Sequence, residues 1–129
     1  MTCTAAWAND DRKSIEATIR MYHKGADERK VELLEQAFHE KFRLMVSVDG
    51  KLNEIRRDTY LDLIELEKIG GKPRDLRIEL VDITGNSAMA KAELSNEKVV
   101  FMDYLSLVKD GDHWLIISNT PHIYPRSAE

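Results

Sequence analysis

An acid sits inside an apolar strand of this chain. Between Val99 and Lys109, Phe101, Leu105 and Leu107 fall on one side of an extended backbone, and Val100, Met102, Tyr104 and Val108 on the other. Asp103 interrupts the first set. A carboxylate on an apolar face costs free energy unless it is paired or protonated. Two chemistries are therefore open to it. Asp103 pairs with a nearby arginine or caps a loop where the sheet twists; or it is a pocket acid whose pKa burial raises, able to donate a hydrogen bond or carry a proton. In the second case Phe101 and Leu105, its neighbours on that face, line the same pocket.

The other reactive side chains are scattered. His122, in the run Asn119-Thr120-Pro121-His122 late in the last strand, either shares a site with Asp103 or is a surface or dimer-contact histidine. His23 adjoins Tyr22 in sequence but points elsewhere around a helix, and His113 falls in a turn. With His39, these histidines show none of the short ligand spacings of a zinc site, so no metal and no cofactor is expected. Tyr22 is either a core residue whose hydroxyl reaches water or a ligand contact, and Trp114 a core or interface aromatic. There is no glycine-rich phosphate loop and no serine in a nucleophile elbow. The acids Asp10, Asp11, Asp62, Glu65 and Glu67 read as solvated helix faces.

The elements that must position these residues follow from periodicity. Ile15, Ile19, Tyr22 and Ala26 recur at helical spacing, which predicts a helix from about Asp10 to Ala26, with Asn9, Asp10 and Asp11 at its start and Gly25 as its stop. A second helix is predicted from Asp27 or Glu28 to about His39, with Val31, Leu34 and Phe38 inward. The period then changes to two at Phe42, Leu44, Val46 and Val48, and Asp49-Gly50 turns the chain into a short strand from Leu52 to Ile55. A third helix is predicted over 57–69, ended by Gly70-Gly71. Alternation resumes in Leu76 to Leu80, Ala88 to Leu94, Val99 to Lys109 and Trp114 to about Ile123, joined by turns at Gly85-Asn86, Ser95-Asn96-Glu97 and Asp110-Gly111. The order is ααββαββββ, an α+β domain ending in an antiparallel meander.

A chain of 129 residues makes one domain, able to bury its core without disulfides or a structural metal. The lone Cys3 fits a reducing compartment, and the opening segment lacks the apolar core of a secretory signal, so a cytoplasmic protein with no membrane span is expected. Nineteen Lys plus Arg against 23 Asp plus Glu give a net charge of −4, which argues against nucleic acid as a partner. The ends, 1–9 and 125–129, read as loosely ordered. The apolar residues on both faces of the Val99 to Lys109 strand call for two covers. The helices supply one, and a second subunit packed sheet against sheet would supply the other.

The runs MYHKGADERKVELLEQAF, VDGKL and above all FMDYLSLVKDGDHWLIISN resemble the nuclear transport factor 2-like superfamily, and within it the branch labelled putative lumazine-binding. The resemblance spans about residues 13 to 125 and is most specific at Phe101, Asp103 to Leu105, Leu107 and the turn from Gly111 to Trp114. It implies a cone: a strongly bent sheet, mixed or antiparallel, wrapped around the helices, with a cavity open at one end, often in homodimers. The superfamily includes ketosteroid isomerases, cyclases, dehydratases and transport adaptors, so the fold leaves function open. The resemblance places Tyr22 where the isomerases have a pocket tyrosine, and Asp103 where they have an aspartic acid kept protonated by its apolar surroundings. Their general base, an aspartate on the first strand, corresponds to Val46. Without it, steroid isomerisation is not expected.

The leading expectation is a small-molecule-binding domain whose apolar cavity, lined by Tyr22, Val46, Phe101, Asp103, Leu105 and His122, holds a small flat organic ligand. The alternatives are a lyase or isomerase in which Asp103, with His122, handles a proton, and a dimeric protein-interaction module that uses the sheet face.

Overall fold

The computed structural model of the chain describes residues 4–127, with side chains over 10–127. Cys3 and the outermost parts of the two ends read as loose, 1–3 and 128–129, lie outside the described residues. The elements run α1 (Thr4–Asp27), α2 (Val31–Ala37), β1 (Phe38–Val48), β2 (Lys51–Arg56), α3 (Arg57–Glu65), β3 (Asp75–Thr84), β4 (Ser87–Ser95), β5 (Val99–Asp110), β6 (His113–Asn119) and β7 (His122–Pro125). The strands form one sheet in the order β2-β1-β6-β5-β4-β3, with β7 paired to β5. β1 runs parallel to β6, and every other pair is antiparallel. The sheet is therefore mixed, and the α+β class expected from the periodicity holds.

Register breaks bend the sheet between Phe38 and Arg43, between Ile78 and Leu80, and between Ser106 and Leu107. A bulge adds a residue to one strand and increases local twist, and bulges on three ladders curve an unclosed sheet around the helices. The apolar stripe of α1 does what its spacing predicts: Ile15, Ile19, Tyr22 and Ala26 are all buried. Ile15, Ile19 and Tyr22 join Leu34, Phe38, Phe42, Tyr60, Ile64, Leu105, Leu107, Trp114 and Ile116 in one core. Phe38 and Phe42 stack at 3.8 Å between ring centroids, possible because residues four apart on a strand share a face.

The boundaries move in informative ways. α1 begins at Thr4, six residues before Asp10, so Asp11 is no cap. Nor is it solvated: its Oδ1 accepts from Trp114 Nε1 at 3.0 Å and Lys109 Nζ at 3.1 Å. Both bonds hold its carboxyl below the usual range, the tryptophan's more strongly. Gly25 does not stop the helix. It is a packing glycine, since a Cβ there would lie 2.8 Å from Leu34 Cγ. Asp27 ends α1 rather than starting α2, which is only seven residues long because Phe38 already belongs to β1. α3 stops at Glu65, and Glu67, Gly70 and Gly71 take positive φ in the loop that follows. The final strand breaks in two at Thr120-Pro121, where proline has no N–H for the ladder. Among the described residues no helix is long and apolar enough to cross a membrane.

Candidate functional site

Between α1, α3 and the inner face of β1, β4 and β5 lies a cavity of about 610 Å³. Its walls are mostly apolar, with Ile19, Leu44, Val46, Ile55, Leu94 and Phe101 among them. Ala92 pairs with Asp103 across β4 and β5, and Ala90 with Leu105; small residues opposite large ones leave the space unfilled. Tyr22, Val46, Phe101, Asp103 and Leu105 all line the cavity, so the structure brings five of the six predicted residues together. His122 is the exception. It pairs with Met102 on the outward-facing side of β5, while its neighbour Ile123 pairs with the inward Phe101. Cross-strand partners share a face, so the imidazole points away from the cavity, exposed and stacked on Tyr124.

The buried end of the cavity is polar. Asn119 Nδ2 donates to the Tyr22 hydroxyl at 2.9 Å, and Asn119 is 1% exposed. The Tyr60 ring meets Tyr22 edge-on at 6.1 Å. Asp103, 5% exposed, completes the group. Loss of hydration pushes its carboxyl up to about 6, against the opposing pull of the Arg74 charge and the Asn119 amide. Burial likewise raises Tyr60 to about 12 and Tyr22 well above its ordinary value, so both phenols stay neutral donors. This end can hydrogen-bond a carbonyl or hydroxyl, and it holds one group that changes charge near neutrality.

The mouth is built differently. Asp27, the last residue of α1, accepts from Arg74 Nε at 2.8 Å through Oδ1 and from the Arg74 backbone N–H at 2.8 Å through Oδ2. His23 Nε2 lies 3.1 Å from Asp27 Oδ2 and 2.7 Å from the Arg74 carbonyl oxygen. Two acceptors at one nitrogen place the imidazole proton there. His23 is thus part of the cavity rim rather than a free surface group. The Arg74 guanidinium lies 4.7 Å from the centre of the Phe101 ring, a cation against an aromatic wall. The loop after α3 closes the rim. Arg29, itself at φ 53, donates to the carbonyls of Ile69 (3.1 Å) and Gly70 (2.9 Å), and Gly71 N–H bonds Ala26 O at 2.9 Å.

Three residues of this site, Tyr60, Asn119 and Arg74, lie outside the set expected from the sequence. Tyr60 shares a helix face with Ile64, four residues on, and that interval could have found it. Asn119 could not be found by alternation, because counting from Trp114 and Ile116 puts Ser118 inward. The register break that pairs Leu107 with Ile116 but Ser106 with Ser118 leaves Ile117 as the extra residue and turns Asn119 in. Arg74 lies in a loop after Pro73, where no period applies.

The family model described as putative lumazine-binding matches residues 10–122. The chain belongs to this family. Among solved structures, this lumazine-binding-family chain is similar to an NTF2-like protein of unknown function from Methylobacillus flagellatus KT, at 27% identity and TM-score 0.75, covering 89% of this chain and 93% of that one. An NTF2-like protein of unknown function from Shewanella baltica OS155 matches at 22% identity and TM-score 0.81, covering 91% and 96%. A ketosteroid isomerase-like protein from Erwinia carotovora atroseptica matches at 12% identity and TM-score 0.71, covering 89% and 95%. The last two are likenesses of fold, and they agree with the cone architecture of the nuclear transport factor 2-like superfamily. No curated protein matches the chain.

Proposed function

We propose that this family member binds a small, flat, largely apolar organic molecule, with the ligand's polar end at Tyr22, Tyr60 and Asp103. One observation carries the reading: a cavity of about 610 Å³ with apolar walls ends in a buried cluster of hydrogen-bonding groups. Pockets that bind small molecules combine apolar lining with a few convergent polar groups in this way. The family description names lumazine, a planar pteridine dione, and its ring carbonyls suit the two phenolic donors. Lumazine is therefore the first probe, followed by a panel of flat aromatic compounds, with binding read by ligand fluorescence and by the shift in melting temperature. Val46→Phe, which projects a ring into the cavity, should keep the fold and abolish the shift. A shift that survives this substitution would put the ligand elsewhere and end the proposal.

A second reading, proton transfer by Asp103, draws on its pKa of about 6. With His122 on the outer face, Asp103 would act without it, and Val46 offers no base across the cavity. Exchange of a bound ligand's C–H protons with deuterated solvent, followed by NMR, tests it. Exchange that Asp103→Asn leaves unchanged rules it out.

We also propose that the protein is a homodimer through the outer sheet face. Leu80 pairs with Lys91 and Lys91 with Tyr104 in one cross-strand row. Leu80, Tyr104 and Met89 are all exposed large apolar residues there. A second copy would cover them, a reading that the two-faced pattern of β5 supports.

A further inference from the structure

The charges at the cavity mouth do not cancel. The ionisable lining residues outside the buried end are Asp27, Arg29, Glu67, Lys68, Lys72 and Arg74, besides His23, which makes four cations to two carboxylates in a chain whose net charge is −4. The carboxylates are already engaged. Asp27 holds Arg74, and Glu67 lies 3.5 Å from Arg29. Lys68 and Lys72 make no ion pair among the described residues. Arg74 uses Nε and Nη2 on Asp27, and its Nη1 makes no hydrogen bond among the described residues.

The backbone that carries these cations is held in place by structure independent of any ligand. The loop that carries both lysines is tied to the end of α1 by Arg29 and by the bond from Gly71 N–H to Ala26 O. Arg74 is fixed by Asp27 on one side and the Phe101 ring on another, and its side chain is 14% exposed. The buried end has the opposite character: two neutral phenols, an amide, and a carboxyl that would repel an anion once ionised. An elongated ligand therefore meets hydrogen-bonding neutral groups inside, apolar walls along its length, and unbalanced positive charge where it leaves the protein.

From this polarity we infer that the ligand is an amphiphilic organic acid, with its ring system in the cavity and its carboxylate, sulfonate or phosphate at the mouth beside Lys68, Lys72 and Arg74. The inference rests on the cavity being a ligand site and adds the ligand's charge and direction. Arg74, partly buried, attracts an anion more strongly than an exposed cation does, and Lys68 and Lys72, exposed on the loop, add to the positive field at the mouth.

Two probes that share a body and differ in charge test it: 8-anilinonaphthalene-1-sulfonate and its uncharged parent, N-phenyl-1-naphthylamine. Both brighten on entering apolar surroundings. The sulfonate should bind at least about tenfold more tightly. Replacing both lysines (Lys68→Gln with Lys72→Gln) on the exposed loop should erase most of that preference while leaving affinity for the neutral probe unchanged. Rising salt should weaken only the sulfonate. Equal affinity for the two probes would overturn the inference and leave the pocket reading standing. Binding of neither would overturn both. A preference for the sulfonate that persists in the double variant would place the anion away from the mouth and also overturn the inference. The comparison of the two probes on the unaltered protein decides the matter even if the double variant fails to fold.

Discussion

Asn119 at the end of β6 and Tyr22 in the last third of α1 meet at 2.9 Å, amide to hydroxyl, across 97 positions of sequence. This bond joins the helical layer to the sheet at the buried end of the cavity, and both partners are almost wholly out of water. Tyr22→Phe keeps the ring among Phe38, Phe42 and Tyr60 but leaves one N–H of the Asn119 amide without its acceptor. An unmet buried donor costs about 1–3 kcal/mol, so the melting temperature should fall by several degrees. Affinity for the cavity's ligand should fall with it. Unchanged stability in a thermal melt would mean that water or another group takes over the amide.

Asp103 makes stability depend on pH in an unusual direction. Its folded pKa of about 6 lies above the ordinary carboxylate value of 3.8. Between those two values the folded chain holds a proton that the unfolded chain has released, so stability falls as pH rises through this window and levels off above it. The loss is about 3 kcal/mol at most. Asp103→Asn should flatten the profile between pH 4 and 6 and raise stability at pH 7. Chemical denaturation at a series of pH values measures both. A variant whose profile keeps the same slope would assign the effect to another group.

The layering of the molecule and half of its site were legible in the residues, and what was hidden has physical causes. Ile15, Ile19, Tyr22 and Ala26 announce a buried helix face by spacing alone, and the alternation around Asp103 shows an acid turned into the core. Both are local patterns, in which each residue's direction follows from its neighbours. Asn119 and His122 depend on register instead. The extra residue at Ile117 reverses the expected facing of Asn119, and the break at Thr120-Pro121 lets β7 pair anew with β5, sending His122 outward. Bulges and broken strands are set by how two segments fit together, which alternation along one segment does not encode. The cationic rim was hidden for a related reason: Asp27 and Arg29 are distant in sequence from Lys68, Lys72 and Arg74, and the two groups converge only through the loop after α3.

The exposed row on the outer sheet face should be covered by a second copy of the chain. Light scattering of the purified protein should therefore give twice the mass of one chain at micromolar concentration. Tyr104→Arg, placed beside Lys91, adds a like charge to the centre of the face and should shift the protein to monomers without unfolding it. The circular dichroism spectrum checks the second point. A wild-type monomer would leave Leu80, Met89 and Tyr104 without a cover and would favour a different partner for that face.

Arg29 decides how firmly the mouth is shaped. Its guanidinium bonds the carbonyls of Ile69 and Gly70, and no other cation among the described residues reaches them. Gly70 and Gly71 are at positive φ, and a side chain at Gly70 would collide with the Ala26 carbonyl, so the loop lies close against α1. Arg29→Ala removes the charged donor but leaves the Gly71 to Ala26 bond. The expected cost is modest, about 1–2 kcal/mol, and local: amide exchange should accelerate over residues 66–72 while the core strands β4 and β5 keep their protection. If the rim cations bind the ligand's anionic end, the same variant should weaken the anionic probe more than the neutral one, because a loosened loop no longer holds Lys68 and Lys72 in place. Exchange rates equal to wild type over the loop would show that the glycine contact alone holds it, and the rim would then owe its shape to backbone packing rather than to Arg29.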